Sequence, residues 1–120
     1  MVAILIVDDN RDLAGSISLL LEAMGCDVRV AYDGAEALSA AAQSLPDAVV
    51  LDIGLPFMSG FEVARKFRER YGTRIRLVAH TAWSDDATRR EVAEAGFDDM
   101  LVKPSSIDNI MSAVARPDGA

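Results

Sequence analysis

Short aliphatic segments alternate along this sequence with longer segments in which apolar residues recur every three or four positions. The aliphatic segments lie at about Val2 to Val7, Asp27 to Ala31, Ala48 to Asp52, Arg76 to His80 and Met100 to Val102. Alternating strands and helices favour a parallel sheet whose right-handed crossovers place helices on both faces. The segment "AVVL" is apolar on both sides, as a doubly covered strand should be. We therefore predict an α/β fold with one doubly wound parallel sheet of five strands and five helices.

Glycines and short polar residues mark the expected ends of the helices. Gly25, Gly72 and Gly96 each follow a helical segment and predict a left-handed C-terminal stop. The candidate N-cap residues are Asp33, Ser84 or Asp85, and Ser105 or Ser106.

The first helical segment carries an apolar stripe that predicts the face packed on the sheet. The members of this stripe are Leu13, Ile17, Leu20, Leu21 and Met24. The basic segment "FEVARKFRER" has the same helical period, so its cations are expected on a solvated face.

A chain of 120 residues has room for one domain, which we expect over residues 1–120 with 115–120 as a frayed tail. Its formal net charge of -7 disfavours direct contact with nucleic acid. No apolar run is long enough for a membrane span or a signal peptide, so we expect no membrane contact and a cytoplasmic location. The single cysteine, Cys26, predicts buried packing rather than a disulfide or a nucleophile.

Polar side chains follow the predicted strands at the edge of the sheet where doubly wound folds bind ligands. These side chains belong to Asp8, Asp9, Asp52, His80, Thr81 and Lys103. If the first and third strands are neighbours, Asp8 and Asp9 face Asp52, and each close pair of charges repels by about 4 kcal/mol at an effective dielectric constant of about 20. A hard divalent cation offsets such repulsion, and Mg²⁺ prefers carboxylates, carbonyls, waters and phosphate oxygens. We therefore predict a Mg²⁺ site at this edge.

Four segments occur in an order that resembles the receiver domains of two-component response regulators, including the chemotaxis regulators. They are "ILIVDDN", "VVLDIGLPFMSGFEVAR", "LVAHTAW" and "GFDDMLVKP", and the resemblance covers nearly the whole chain. It implies a flavodoxin-like sheet with strand order 2-1-3-4-5. It also implies a phosphoacceptor module of a phosphorelay, which is no enzyme beyond catalysing its own phosphorylation and dephosphorylation.

The resemblance implies a role for each residue of the site. Asp52 matches the phosphoacceptor, which takes a phosphoryl group from a phosphohistidine of a histidine kinase or a histidine phosphotransfer protein. Lys103 matches the amine that pairs with the acceptor and then with the phosphoryl oxygens. Thr81 matches the hydroxyl that moves to bind the phosphoryl group. Pro104 makes the preceding peptide bond a candidate for the cis form, which would aim Lys103 inward.

The same resemblance implies a set of metal ligands. Asp9 matches the direct ligand of Mg²⁺, and Asp8 its companion through water. Asp52 itself and the backbone carbonyl of Gly54 complete the implied set. A cation and an ammonium group around the acceptor supply the positioning and the charge neutralisation that phosphoryl transfer needs.

The sequence departs from the family pattern at Met100. Family members usually carry Tyr, Phe or His three residues before the lysine, and this ring rotates inward when the hydroxyl moves. A flexible thioether can fill the vacated space but has no ring to mark two discrete states. Trp83 and Gly54 occupy the positions that flank the acceptor, where Trp83 is expected to shield the phosphoryl group from water and Gly54 is not.

Other kinds of function fit the residues less well. A small Mg²⁺-dependent phosphohydrolase would need a second acid two residues after Asp52, where Gly54 stands. A flavin module would meet repulsion between "DDNRD" and the flavin phosphate. A degenerate receiver that serves only for interaction typically lacks an acid or the lysine, and this sequence has them all. His80 is interpreted as structural, and the choice between a free-standing regulator and a hybrid-kinase receiver, with an attached kinase or output domain, is left open.

Overall fold

One five-stranded parallel sheet with helices on both faces forms the protein. The computed structural model describes residues 1–115. Of the expected tail over 115–120, Ala115 is the last residue of the final helix, and residues 116–120 lie outside the described part. The strands are β1 (Ala3–Val7), β2 (Asp27–Ala31), β3 (Ala48–Asp52), β4 (Arg76–Thr81) and β5 (Asp99–Val102). The helices are α1 (Arg11–Ala23), α2 (Gly34–Gln43), α3 (Gly60–Tyr71), α4 (Asp86–Glu94) and α5 (Ile107–Ala115), with a 3-10 turn at Gly72–Arg74.

The strand order is β2-β1-β3-β4-β5, and every neighbouring pair is parallel. The predicted fold class and the flavodoxin-like order are therefore confirmed. No helix in the described part of the chain is both long enough and apolar enough to span a membrane.

Two apolar layers cover the faces of the sheet because successive side chains of a strand point to opposite sides. Leu5 and Val7 of β1 belong to the layer under α2 and α3. Ile4 and Ile6 belong to the layer under α1 and α5. The central strand β3 is buried along its whole length, as the apolar segment "AVVL" that precedes Asp52 predicts.

Strand β3 continues this alternation to the carboxyl edge of the sheet. The side chain of Asp52 points to the same face of the sheet as that of Val50, and the register partner of Asp52 on β4 is His80. Both side chains therefore lie on the side of the sheet that α1 and α5 cover.

Most of the predicted helix ends are confirmed. Gly25, Gly72 and Gly96 have φ values of 93°, 59° and 98°, the left-handed region that glycine tolerates best. The side chains of Asp33 and Asp85 accept hydrogen bonds from the backbone of α2 and α4, and the candidate Ser84 gives way to Asp85. At α5 the hydroxyl of Ser106 accepts from the backbone N–H of Asn109 at 3.1 Å.

The predicted stripe on α1 is wrong at two positions. Leu20 and Met24 are 52% and 47% exposed, whereas Ile17 and Leu21 are buried together with Ala14. A helix turns about 100° per residue, so Leu20 lies about 80° from the centre between Ile17 and Leu21, on the rim of that face. Met24 follows the last residue of α1 as its C-cap. The side chain of Ala14 is small, so the face of α1 that carries Ala14, Ile17 and Leu21 can pack closely against the sheet.

Candidate functional site

Three carboxylates meet at the carboxyl edge of the sheet. β1 and β3 are hydrogen-bonded neighbours, so Asp8 and Asp9 after β1 lie beside Asp52 at the end of β3. One carboxylate oxygen from each of the three residues lies within 4.8 Å of the others. Asp8 is 2% exposed and Asp52 is 9% exposed, while Asp9 is open to solvent. The structure thus brings together the acids that the sequence predicted to converge.

Backbone N–H groups orient the two buried carboxylates. The N–H of Asn10 donates to Oδ1 of Asp8, and the N–H of Gly54 donates to Oδ1 of Asp52, both at 2.9 Å. Each bond fixes one oxygen of its carboxylate and turns the other, Oδ2, toward the ammonium group of Lys103.

Lys103 bridges the two buried carboxylates. Its Nζ lies 2.9 Å from Oδ2 of Asp8 and 3.4 Å from Oδ2 of Asp52. The Lys103–Pro104 peptide bond is cis, as the sequence suggested. The backbone N–H of Lys103 donates to the carbonyl of Thr81 at 2.7 Å, which ties the segment after β5 to the end of β4.

Burial governs the electrostatics of the acceptor candidate. Removal from water raises the pKa of the Asp52 carboxyl, although the Gly54 hydrogen bond and the charge of Lys103 oppose the rise. Burial alone would lower the pKa of Lys103, but the hydrogen bond with Asp8 and the charge of Asp52 outweigh it and raise that pKa. Lys103 is therefore a permanent cation at neutral pH.

Thr81 and Trp83 form the wall on the β4 side of the site. Thr81 is fully buried, and its Oγ1 accepts a hydrogen bond from the backbone N–H of Trp83 at 3.0 Å. A Cβ built on Gly54 would lie 3.6 Å from Cζ3 and Cη2 of the Trp83 indole, and also 3.6 Å from Oδ1 of Asp52. The indole therefore reaches the residues that flank the acceptor, while its outer part is exposed.

Met100 lies behind this wall on β5. It is the register partner of Ala79, and its partly buried side chain packs against Ile53, Ala79 and Val92. The thioether thus occupies apolar space beside β4 rather than contacting the carboxylates.

Two structural features of the site were missed by the sequence analysis. Asn10 caps α1, since its side chain accepts from the N–H of Leu13 at 3.1 Å. Gly60 begins α3 so close to β3 that an added Cβ would overlap the carbonyl oxygen of Asp52 and Cα of Ile53. The segment "DDNRDL" carries a signal for the first feature, since an N-cap residue type precedes a helical segment there. No local pattern signals the close approach of Gly60.

His80 is buried next to these groups. Burial, reinforced by the charge of Lys103, lowers its pKa to about 4, so the imidazole is neutral at pH 7. It contributes no atom to the group of oxygens that could hold a metal ion in the described chain. These observations agree with the interpretation of His80 as a structural residue rather than a metal ligand.

The donor set at the edge of the sheet fits a hard divalent cation. Three carboxylates supply oxygen atoms, and Gly54 follows Asp52 closely enough in the chain to add a backbone carbonyl. Neither thiol nor imidazole takes part in this set, which favours Mg²⁺ or Ca²⁺ over softer metals.

Comparison with known proteins identifies the family. A family model described as the response regulator receiver domain matches residues 4–115. The chain belongs to this family. Receiver domains are the phosphoacceptor modules of two-component signalling, and the arrangement of Asp8, Asp52 and Lys103 is consistent with that general role.

Relatives of this receiver domain include longer proteins that are named response regulators. Response regulator MprA of Mycobacterium sp. (strain KMS) is 38% identical over 111 residues, which are 92% of this chain and 48% of that protein. Response regulator ArlR of Staphylococcus saprophyticus is 36% identical over 114 residues, which are 95% of this chain and 51% of that protein. The receiver domain therefore spans about half the length of the curated relatives it matches.

Solved structures share the fold of this receiver domain. A response regulator from Burkholderia pseudomallei, solved with a phosphorylated aspartic acid, a calcium ion and citrate, is 28% identical with a TM-score of 0.86, over 92% of this chain and 65% of that chain. The backbone of this receiver domain thus closely matches a protein known in a phosphorylated form.

Proposed function

We propose that this receiver domain accepts a phosphoryl group on Asp52 from the phosphohistidine of a histidine kinase or a histidine phosphotransfer protein. The observation that carries the proposal is the position of the Asp52 carboxylate at the edge of the sheet, 3.4 Å from Nζ of Lys103 and within 4.8 Å of oxygens of Asp8 and Asp9. The phosphorylated aspartic acid and calcium ion of the Burkholderia pseudomallei structure support it, because that protein shares the fold.

The transfer itself needs no covalent help from other side chains. An oxygen of Asp52 attacks the phosphorus, the phosphorus–nitrogen bond to the donor imidazole breaks, and its electron pair returns to the ring nitrogen. Lys103 lies 3.4 Å from Oδ2 of Asp52 and is placed to stabilise charge on the phosphoryl oxygens. Asp9, Asp52, the Gly54 carbonyl and, through water, Asp8 would hold Mg²⁺. When bound there, Mg²⁺ neutralises the phosphoryl oxygens and orients them for in-line attack.

Phosphorylation would then change the wall on the β4 side. A phosphoryl ester brings close to two negative charges and three acceptor oxygens, which attract the hydroxyl of Thr81. That hydroxyl now accepts from the N–H of Trp83, so its movement would release the start of the β4–α4 segment. Met100 packs against Ile53, Ala79 and Val92 behind this wall. Being unbranched and flexible, it would fill the space that Thr81 leaves. The signal would pass to the face formed by α4, β5 and α5.

The proposed role also implies a cellular location and a class of protein. We place the module in the cytoplasm, where phosphohistidine donors draw on ATP, as a signalling component rather than a metabolic enzyme. The absence of a second acid at Gly54 favours this role over phosphohydrolase turnover. An attached kinase or output domain is compatible with relatives about twice the length of this chain.

The fluorescence of Trp83 tests the proposal, because it is the single tryptophan and its indole lies beside Gly54. Mg²⁺ should change the emission, and beryllofluoride, a phosphoryl mimic, should change it further in the presence of Mg²⁺. Asp52→Asn should abolish the second change. Asp27→Asn, at the opposite end of the sheet, removes the same charge and should preserve both changes. A wild-type protein indifferent to both additions would refute the proposed site.

A further inference from the structure

Helix α1 carries apolar side chains on two of its faces. One face packs against the sheet. Away from the sheet, Leu19 and Leu20 are 70% and 52% exposed, and Met24 at the C-cap is 47% exposed. A surface helix normally has a single apolar stripe, whereas a helix that is apolar all round is normally buried. The exposed leucines therefore indicate a surface that a partner covers.

The exposed apolar residues form a continuous outer stripe along α1. Ser16, Leu19, Leu20 and Ala23 are all exposed, and they follow one another at the three- and four-residue spacing that places side chains on one face of a helix. Met24 extends this outer stripe by one turn beyond Leu20. The small side chains of Ser16 and Ala23 allow the axis of a second helix to come close. The outer stripe thus has the shape of a helix-packing surface.

The net charge of the protein is concentrated in the half of the chain that contains α1. Residues 1–52 carry nine acidic and two basic side chains, which gives them a formal net charge of -7. Residues 53–120 carry ten of each kind and are formally neutral. The segment from β1 to β3, with α1 and α2 as its helices, therefore holds the entire negative charge of the chain.

Acidic side chains surround the outer stripe. Asp12 lies in the first turn of α1, Glu22 in its last turn and Asp27 at the start of β2, and all three are exposed. None of them forms an ion pair within residues 1–115. Like charges repel, so this surface disfavours a second copy of itself, nucleic acid and anionic lipid. It favours a partner that brings cations.

The two cations of residues 1–52 do not neutralise these acids. The guanidinium group of Arg11 lies over the ring of Tyr32, 3.9 Å from the ring centroid. Arg29 donates to the carbonyls of Ala40 and Ser44, which ties β2 to the end of α2. The carboxylates around the outer stripe are therefore available to cations of another molecule.

We propose that the outer stripe of α1 is the docking surface for a cationic amphipathic helix of a partner protein. Apolar side chains of that helix pack on Leu19, Leu20 and Met24. Its Lys and Arg side chains face the surrounding acids, as charged residues flank the apolar seam of a coiled coil. Burial of apolar surface supplies the affinity, and the charges select the partner. The contact uses none of the three clustered carboxylates at the edge of the sheet, so it is separate from phosphoryl transfer.

Two synthetic peptides of equal length are defined probes of this surface. One consists of leucine and lysine, arranged so that the leucines form one face of a helix, and the other has glutamate in place of every lysine. Each is titrated into the unphosphorylated protein without divalent cations, and the backbone amide resonances are followed. The leucine–lysine peptide should shift resonances of α1 saturably, with an affinity that falls as salt rises. The leucine–glutamate peptide should not bind.

Variants separate docking at the outer stripe from general attraction to an acidic protein. The double replacement Leu19→Gln and Leu20→Gln keeps good helix formers and the same charge, and it should weaken binding of the leucine–lysine peptide about tenfold to hundredfold. Phe57→Asn removes a fully exposed apolar side chain outside α1 and should leave the affinity unchanged. Glu22→Gln should weaken binding more than Glu94→Gln on α4, which removes the same charge from the neutral half of the chain.

The absence of a saturable shift with the leucine–lysine peptide would overturn the docking surface, as would shifts centred on the carboxylate site. Unchanged affinity of the double variant would overturn the role of the leucines, and Met24→Gln decides the same point should that variant fail to fold. Equal binding of the two peptides would overturn the cationic class of partner. None of these results depends on phosphorylation of Asp52, so failure here is distinguishable from failure of the proposed function.

Discussion

Lys103 contacts Asp8 through a direct ion pair, with Nζ 2.9 Å from Oδ2. Asp8 is almost fully buried, so this contact anchors the ammonium group beneath the surface. The longer distance of 3.4 Å to Asp52 leaves the acceptor carboxylate as the looser partner of the same cation. Asp8 thereby holds the ammonium group of Lys103 in place beside the carboxylate of Asp52.

Replacement of Lys103 by methionine should destabilise the metal-free protein. The variant leaves Asp8 and Asp52 facing each other without a cation and removes a charge-assisted hydrogen bond, so the free energy of unfolding should fall by about 1.5–3 kcal/mol. Urea denaturation in the presence of a chelator measures this change. Mg²⁺ should restore part of the loss, since it supplies positive charge to the same carboxylates.

Lys66→Met on α3 is the matched control, because Lys66 lies outside the site. Its free energy of unfolding should differ from that of the wild type by no more than about 0.5 kcal/mol, as for most surface substitutions. Equal effects of the two replacements would contradict the bridging role of Lys103.

The pH dependence of stability should report the buried state of Asp52. Burial raises the pKa of its carboxyl in the folded protein above the ordinary value of 3.8. The unfolded chain therefore loses this proton more readily, and the contribution of Asp52 to stability falls as pH rises through 3.8 and the higher folded pKa. Asp52→Asn cannot ionise, so without divalent cations it should be more stable than the wild type at pH 7.

The advantage of Asp52→Asn should shrink as pH falls below 3.8, where the wild-type carboxyl is protonated in both states. Thermal unfolding at several pH values measures the difference. A variant less stable than the wild type at pH 7 would show that burial is not the main influence on the pKa of the Asp52 carboxyl. A difference in stability that does not change with pH would show the same.

Gly60→Ala should distort the acceptor strand. The added methyl group would overlap backbone atoms of Asp52 and Ile53, which cannot rotate away, so we expect a loss of about 1–3 kcal/mol in the free energy of unfolding. Gly15→Ala on α1 adds the same group where no atom lies within 4 Å. The free energy of unfolding of this control should rise by about 0.5–1 kcal/mol, because alanine favours a helix interior more than glycine does. Urea denaturation of both variants gives the comparison, and a neutral Gly60→Ala would disprove the close approach.

The convergence of Asp8, Asp52 and Lys103 could be predicted from the sequence because topology alone places them together. Each residue follows an aliphatic strand, and parallel strands end at one edge of the sheet. The family could also be predicted from the sequence, because the segments that contain these residues occur in the order typical of receiver domains. The register Asp52↔His80 follows from strand pairing, but the lack of a hydrogen-bonding partner for His80 Nε2 within residues 1–115 does not.

Packing detail on the helices could not be predicted in the same way. The helical period of this segment places Leu20 and Met24 near the apolar face, but it states neither how wide a face the sheet covers nor that α1 ends at Ala23, before Met24. The covered width depends on how closely the helix approaches the sheet, and the buried Ala14 is small enough to allow a close approach. The contact of Gly60 with β3 likewise depends on the path of the β3–α3 segment, which no local pattern encodes.

Intact mass after incubation with acetyl phosphate and Mg²⁺ tests the central claim most directly. The wild type and the control Asp27→Asn should each gain the mass of one phosphoryl group, and Asp52→Asn should gain none. A chelator should suppress the gain in the first two proteins. One phosphoryl group on Asp52→Asn at the wild-type rate, or none on the wild type, would contradict the assignment of Asp52 as the acceptor.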